Sequence, residues 1–191
     1  MTGASKIRTF ICIDIPGFIR ARLEELQRTL APVNADVSWV KTSKIHLTLK
    51  FLGDVPFDRI GNISGAVERA VQQVGPFEIQ VSGTGAFPSS HNPRVLWVGL
   101  QPIPSQLMQL QGSIEDQLFR DGFARESRSF SPHLTVARLK SNRNSRALVE
   151  ALMANGFERV TFSANEVIVM KSDLKSKGAV YTQLAVFKLE G

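Results

Sequence analysis

The tripeptide His-Leu-Thr occurs twice in this 191-residue chain, as His46-Leu47-Thr48 and as His133-Leu134-Thr135. An offset of 133 − 46 = 87 positions lays the surroundings of one copy on those of the other. In the first half an apolar run over 8–15 stops at Pro16-Gly17, and Ile19, Leu23, Leu26 and Leu30 then recur at helical spacing. After the short segment 37–40, a strand is expected over 45–52 with Gly53-Asp54 as its turn. A helix over 58–74 follows, and Phe77, Ile79 and Val81 alternate as a third strand. The second half repeats the order with a strand over 94–100, a helix over 104–119, a strand over 134–139, a helix over 145–154 and a strand over 160–170. One further strand, over 180–189, has no counterpart.

Such a duplication restricts the fold more than any propensity does. It predicts a single α+β domain spanning 1–191 and built of two pseudo-symmetric lobes, one over about 1–90 and the other over about 91–191. Each lobe is expected to be a small, mostly antiparallel sheet backed by helices, with a central cleft between the two. Repeats can also stack with no site between them, so the identity of the repeated residues carries the functional reading.

On a strand, side chains at i and i+2 share a face, so each His stands beside its Thr while the intervening Leu turns to the core. A lone strand His is usually structural; the same pair at equivalent places in both halves is not a common accident. Two imidazoles converging across a twofold suit in-line displacement at phosphorus, where one ring takes a proton from the nucleophile and the other gives one to the leaving oxygen. Two threonine hydroxyls can meanwhile hydrogen-bond the non-bridging oxygens.

Other chemistries fit less well. There is no G-x-x-x-x-G-K-[ST] loop, Gly83-Thr84-Gly85 alone is too weak for a dinucleotide fingerprint, and no alternating acidic run suggests a divalent-cation site. His91 reads as an exposed turn residue. The single Cys12 excludes an internal disulfide and reads as a small buried hydrophobe. With no signal-like N-terminus and no apolar run of about 20 residues, the expectation is a cytoplasmic protein without a membrane partner. The formal charge of +6 favours anionic partners, and the segment 120–146 holds seven Lys and Arg against two acids, 7 − 2 = +5, around the second motif.

These residues give the chain a resemblance to the 2H phosphoesterase superfamily, whose members carry two His-x-[Ser/Thr] motifs on pseudo-symmetric lobes. It is most similar to the branch of RNA 2′,3′-cyclic phosphodiesterases, also called 2′-5′ RNA ligases. The similarity runs from Arg8-Thr9-Phe10-Ile11-Cys12-Ile13 through HLTLKFLG, Gly85-Ala86-Phe87-Pro88, Arg94-Val95-Leu96-Trp97 and PHLTVAR. It continues over Lys171-Ser172-Asp173-Leu174 to Gly178-Ala179-Val180-Tyr181.

The resemblance implies His46 and His133 as the acid–base pair and Thr48 and Thr135 as phosphate binders. It implies hydrolysis of a ribose 2′,3′-cyclic phosphate to a 2′-phosphomonoester without metal, ATP or other cofactor, and in some members reversible 2′-5′ joining of RNA ends. The partners implied are RNA ends bearing the cyclic phosphate, tRNA-like fragments among them, and the chain is expected to act as a monomer. Within this reading His133 is the base and His46 the acid. The family also implicates the residue three beyond each Thr, here Phe51 for base stacking and Arg138 for phosphate. Strand parity objects to both: position i+5 faces away from the His unless the strands bend near Lys50-Phe51 and Ala137-Arg138. The alternatives are a non-catalytic module that binds nucleotides or RNA ends, and a phosphodiesterase acting on small cyclic nucleotides or 2′-5′ oligoadenylate.

Overall fold

The computed structural model describes residues 5–176 and 178–191. Pro16, which cannot extend a sheet ladder, separates the first strand β1 (Lys6–Asp14) from helix α1 (Gly17–Leu30), and its carbonyl accepts from the amides of Ile19 and Arg20. Ile19, Leu23, Leu26 and Leu30 form the buried stripe of α1, as their spacing requires. Next come β2 (Val37–Trp39), β3 (His46–Pro56), α2 (Ile60–Val71), β4 (Phe77–Pro88) and β5 (Pro93–Leu100). The chain continues with α3 (Ser105–Arg120), β6 (His133–Leu139), α4 (Ser145–Asn155), β7 (Val160–Ala164), β8 (Glu166–Lys175) and β9 (Gly178–Lys188).

Beyond shifts of a few residues at element ends, three features differ from the sequence expectation. Gly53-Asp54 does not end the second strand: Leu52 is an extra residue between the pairs Thr9↔Gly53 and Phe10↔Phe51, Gly53 absorbs the irregularity at φ +69°, and β3 runs on to Pro56. The third strand extends far beyond Val81, to Pro88. The single strand expected over 160–170 is two, because the chain changes sheets at Asn165.

Two sheets result, with strand orders β3-β1-β8-β9 and β2-β6-β5-β4-β7. Among the paired strands, all neighbours are antiparallel. The division of the chain near residue 90 therefore gives way to an exchange. Strands β4 and β8 end at 88 and 175, one offset of 175 − 88 = 87 apart, yet β4 lies in the sheet of β5 and β6 and β8 in the sheet of β1 and β3. The cause is local. Residues 89–92 form a tight connection that turns β4 directly back onto the strand that follows it, β5, and so into the sheet of the second half, where β7 covers its other edge. The two halves are thus tied by strands as well as by packing.

Helix α2 lies on β8 and β9, α4 lies on β4 and β5, and α2 and α3 pack against each other. Their buried faces, including Ile63, Val67, Leu110, Ile114, Leu148 and Leu152, join the sheet residues Ile11, Ile13, Leu47, Ile79, Leu96 and Leu134 in one core. Each such side chain contributes about 1.5–3 kcal/mol on burial. The opposite faces of the sheets are left to form the cleft.

Candidate active site

Both His-Leu-Thr motifs lie at the start of the equivalent strands β3 and β6, which contact each other. In each, the Leu is buried in the core and the His and Thr turn the other way. All four polar side chains, with Phe51 and Arg138, line one cleft of about 560 Å³. The structure brings together every site residue expected from the sequence. His91 lies apart from them, exposed in the β4–β5 connection.

Phe51 and Arg138 reach this cleft because each motif strand carries an extra residue. Opposite β1, Thr48 pairs with Cys12 and Lys50 with Ile11, so Leu49 is unpaired. Opposite β5, Thr135 pairs with Trp97 and Ala137 with Leu96, so Val136 is unpaired. Leu49 and Val136 are themselves 136 − 49 = 87 apart, and both the bulged residue and the one after it are buried in each strand. A one-residue bulge inverts the alternation beyond it. Phe51 and Arg138 therefore share the face of His46 and His133, and the bend falls one residue earlier than expected. The first strands keep a different offset, 97 − 12 = 85, because the connection from first strand to motif is two residues longer in the second half.

Each histidine is held in the same way. Nδ1 of His46 donates to the carbonyl of Lys44 at 2.9 Å, and Nδ1 of His133 donates to the carbonyl of Ser131 at 2.7 Å. A carbonyl can only accept, so the neutral ring carries its proton on Nδ1 and leaves the Nε2 lone pair for chemistry. His46 stacks on Phe10 at 4.6 Å between centroids and meets the edge of Tyr181 at 5.4 Å; His133 meets Phe87 edge-on at 4.9 Å. Burial among these rings lowers the pKa of both histidines below the usual imidazole value, against the opposing pull of their backbone hydrogen bonds. Their charged neighbours differ: Asp14 favours the protonated form of His46, whereas Arg138 favours the neutral form of His133.

Sequence reasoning missed several residues of the cleft. Among its described lining residues three are basic, Arg8, Lys44 and Arg138, and none is acidic. The Lys44 ammonium is anchored to the carbonyl of Ala179. Tyr181, from the strand that has no counterpart in the first half, presents a hydroxyl kept neutral by burial, which pushes its pKa up. Only the alternation of β9 could have pointed to it. A second chamber of about 570 Å³ shares Thr48, Phe51, Phe87, Val95 and His133 with the cleft and is lined by Arg94, Arg128 and Phe130.

The basic segment 120–146 divides. Arg138 and Arg128 face these cavities, while Arg125 and Arg146 form ion pairs with Asp116 and Glu150 at the surface. Among the described residues, no group of three or more His, Cys, Asp or Glu side chains gathers as a metal site, and no helix is long and apolar enough to cross a membrane.

The family model of the 2′-5′ RNA ligase superfamily matches residues 16–175, a span that contains both motifs. The RNA 2′,3′-cyclic phosphodiesterase of Methanothermobacter thermautotrophicus is 34% identical over 185 residues, covering 96% of this chain and 100% of the relative. That of Thermotoga maritima is 30% identical over 97% of each chain. Among solved structures, TT0787 of Thermus thermophilus superposes with a TM-score of 0.81 at 26% identity, over 97% of this chain and 99% of the other. Escherichia coli LigT without ligand gives 0.79 at 25% identity, over 98% and 100%. The chain belongs to the 2′-5′ RNA ligase superfamily.

Proposed function

We propose that this protein hydrolyses RNA ends bearing a 2′,3′-cyclic phosphate to 2′-phosphomonoesters by paired-histidine catalysis. The observation that carries the reading is the duplicated imidazole: two rings, each with Nδ1 committed to a carbonyl and Nε2 left available, lining one cleft with two threonines. Full-length relatives named RNA 2′,3′-cyclic phosphodiesterase support the substrate. His133 takes a proton from water as its oxygen attacks phosphorus, the P–O3′ bond breaks, and His46 gives its proton to O3′. Arg138 beside His133 and Asp14 beside His46 bias the two rings toward those starting states. Thr48 and Thr135 donate to the non-bridging oxygens as charge builds there. Phe51 stacks on the terminal base and Arg138 pairs with phosphate. Run in the same direction with an RNA 5′-hydroxyl attacking in place of water, the same proton transfers break P–O3′ and form a 2′-5′ linkage, and the reverse of that step cleaves it.

The direct test is incubation with a short oligonucleotide ending in a 2′,3′-cyclic phosphate, in EDTA, with the product's phosphate position identified. A 2′-phosphate product is expected; an unchanged substrate sinks the reading. The lowered histidine values add a pH prediction. The base must be neutral and the acid protonated, so kcat/KM is bell-shaped, and its maximum is expected on the acid side of about 6.5. A plateau extending through pH 8 would contradict the pair. Charge gives a third expectation: with Arg8, Lys44, Arg94 and Arg128 bordering the cavities, KM for an oligonucleotide should rise with salt more steeply than KM for a mononucleotide. Equal slopes would mean that the RNA backbone does not use these cations.

A further inference from the structure

Both bulges are braced by a helix from the opposite half. The carbonyl of Val136, the extra residue of β6, accepts from the amide of Val40 at 3.0 Å and from the side-chain amide of Gln27 at 2.9 Å. Gln27 belongs to α1, and the same nitrogen donates to the carbonyl of Val40 at 2.8 Å. In the other motif Lys50, which follows the extra residue Leu49, turns toward α3. Its ammonium donates to both carboxylate oxygens of Glu115 at 2.8 and 2.7 Å and to the carbonyl of Ala124 at 3.0 Å. Helices α1 and α3 are themselves equivalent under the repeat, so the first helix of each half holds the motif of the other.

We infer that Gln27 and Glu115 are positioning residues, which fix the two bulges and thereby turn Arg138 and Phe51 into the cleft. The need for a brace follows from the pairing. The carbonyl of Val136 keeps a backbone donor in the Val40 amide on the β2 side; what the bulge interrupts is the register against β5, and without a further hold the strand recovers by slipping one residue. Slippage at Val136 would carry Arg138 to the helix side and bring the buried Ala137 to the cleft. Slippage at Leu49 would do the same to Phe51 and Lys50. Gln27 offers one nitrogen to two carbonyls of different strands, which ties β6 to the segment after β2 at the point where regular pairing stops. Gln27 lines neither cavity, and Glu115 lines only the second chamber, where both its carboxylate oxygens are taken up by Lys50, so each acts through the residue it orients.

This inference rests on Arg138 and Phe51 contacting substrate, and its test reads binding rather than turnover. Calorimetric titration with adenosine 2′-monophosphate, the product-like ligand, should show Kd about tenfold weaker for Gln27→Met, which keeps the length of the side chain and removes its donors. Arg138→Ala alone should weaken binding comparably. The two together should weaken it hardly more than either alone, because Gln27 works through Arg138. Gln27→Lys, with an ammonium in reach of both carbonyls, should recover most of the affinity.

For the other brace, the paired replacement Lys50→Met with Glu115→Leu removes the interaction without leaving a buried charge, and its loss should likewise be shared with Phe51→Ala. Additive losses in both cycles would overturn the inference, as would unaltered binding by Gln27→Met. A wild-type chain that binds the nucleotide without opening cyclic phosphates would instead overturn the catalytic reading, and both cycles would remain readable.

Discussion

His133→Ala is expected to lower kcat/KM on a cyclic-phosphate end by about 10² to 10⁴, and His46→Ala by a similar factor. The size follows from what is lost. Each ring supplies a proton acceptor or donor at Nε2 that no neighbour replaces: the hydroxyls of Thr48 and Thr135 titrate far outside the working range, and Tyr181 is held neutral by burial. Removing both rings should cost little more than removing one, since a displacement that lacks either partner already runs with water in that role.

The fold should survive. Both rings face the cleft rather than the main core, and neither belongs to the large buried cluster. The loss should therefore fall on turnover, with the thermal transition moved by only a few degrees. Parallel kinetics and thermal denaturation on purified variants would separate the two. A variant that keeps more than a tenth of wild-type kcat/KM would remove its histidine from the mechanism.

How much of this was written in the sequence depends on the range of the interaction concerned. Helix positions and the buried stripes of α1 and α2 were legible, because periodicity is local and Pro16-Gly17 marks where the first helix begins. The two motifs were legible because duplication marks the same pair twice. The exchange of β4 and β8 between sheets was not, since an offset shows that strands are equivalent and says nothing of which neighbours they choose.

The bulges were half legible. Parity at Phe51 and Arg138 demanded a bend, and the sequence hides its position because Leu49-Lys50 reads as ordinary alternation of an apolar and a polar residue. Burial of a lysine is what reveals it. Arg8, Lys44 and Tyr181 come to the cleft from three separate places in the chain, and nothing short of the folded sheets brings them to one address. The net charge suggested an anionic partner, and the segment 120–146 supplies Arg128 and Arg138 to the cavities while Arg8, Lys44 and Arg94 come from elsewhere in the chain.

Buried Lys50 also sets the largest stability effect expected of a single substitution. Lys50 is 6% exposed and Glu115 8%, so neither charge has water to fall back on. Their oxygens and protons are nonetheless used: the ammonium has three acceptors, and the carboxylate also receives the amide of Glu126 at 3.3 Å and the side chain of Gln111 at 3.4 Å. Taking two ions out of water is expensive, and a well-satisfied pair recovers roughly what desolvation costs.

Removing one partner leaves the whole of that cost exposed. Glu115→Leu should destabilise the protein by about 3–5 kcal/mol, with the Lys50 ammonium left to the carbonyl of Ala124 alone, whereas adding Lys50→Met to it should restore much of the loss. For a chain of this length, that single change corresponds to a fall in Tm of about 6–20 °C. Denaturant unfolding of the two single variants and the double variant tests the argument, because the double must be more stable than the Glu115→Leu single if uncompensated charge is the cause. If the double is instead the least stable of the three, the pair holds the fold by attraction in excess of its desolvation, and the bulge of the first motif is secured by charge rather than by satisfied hydrogen bonds.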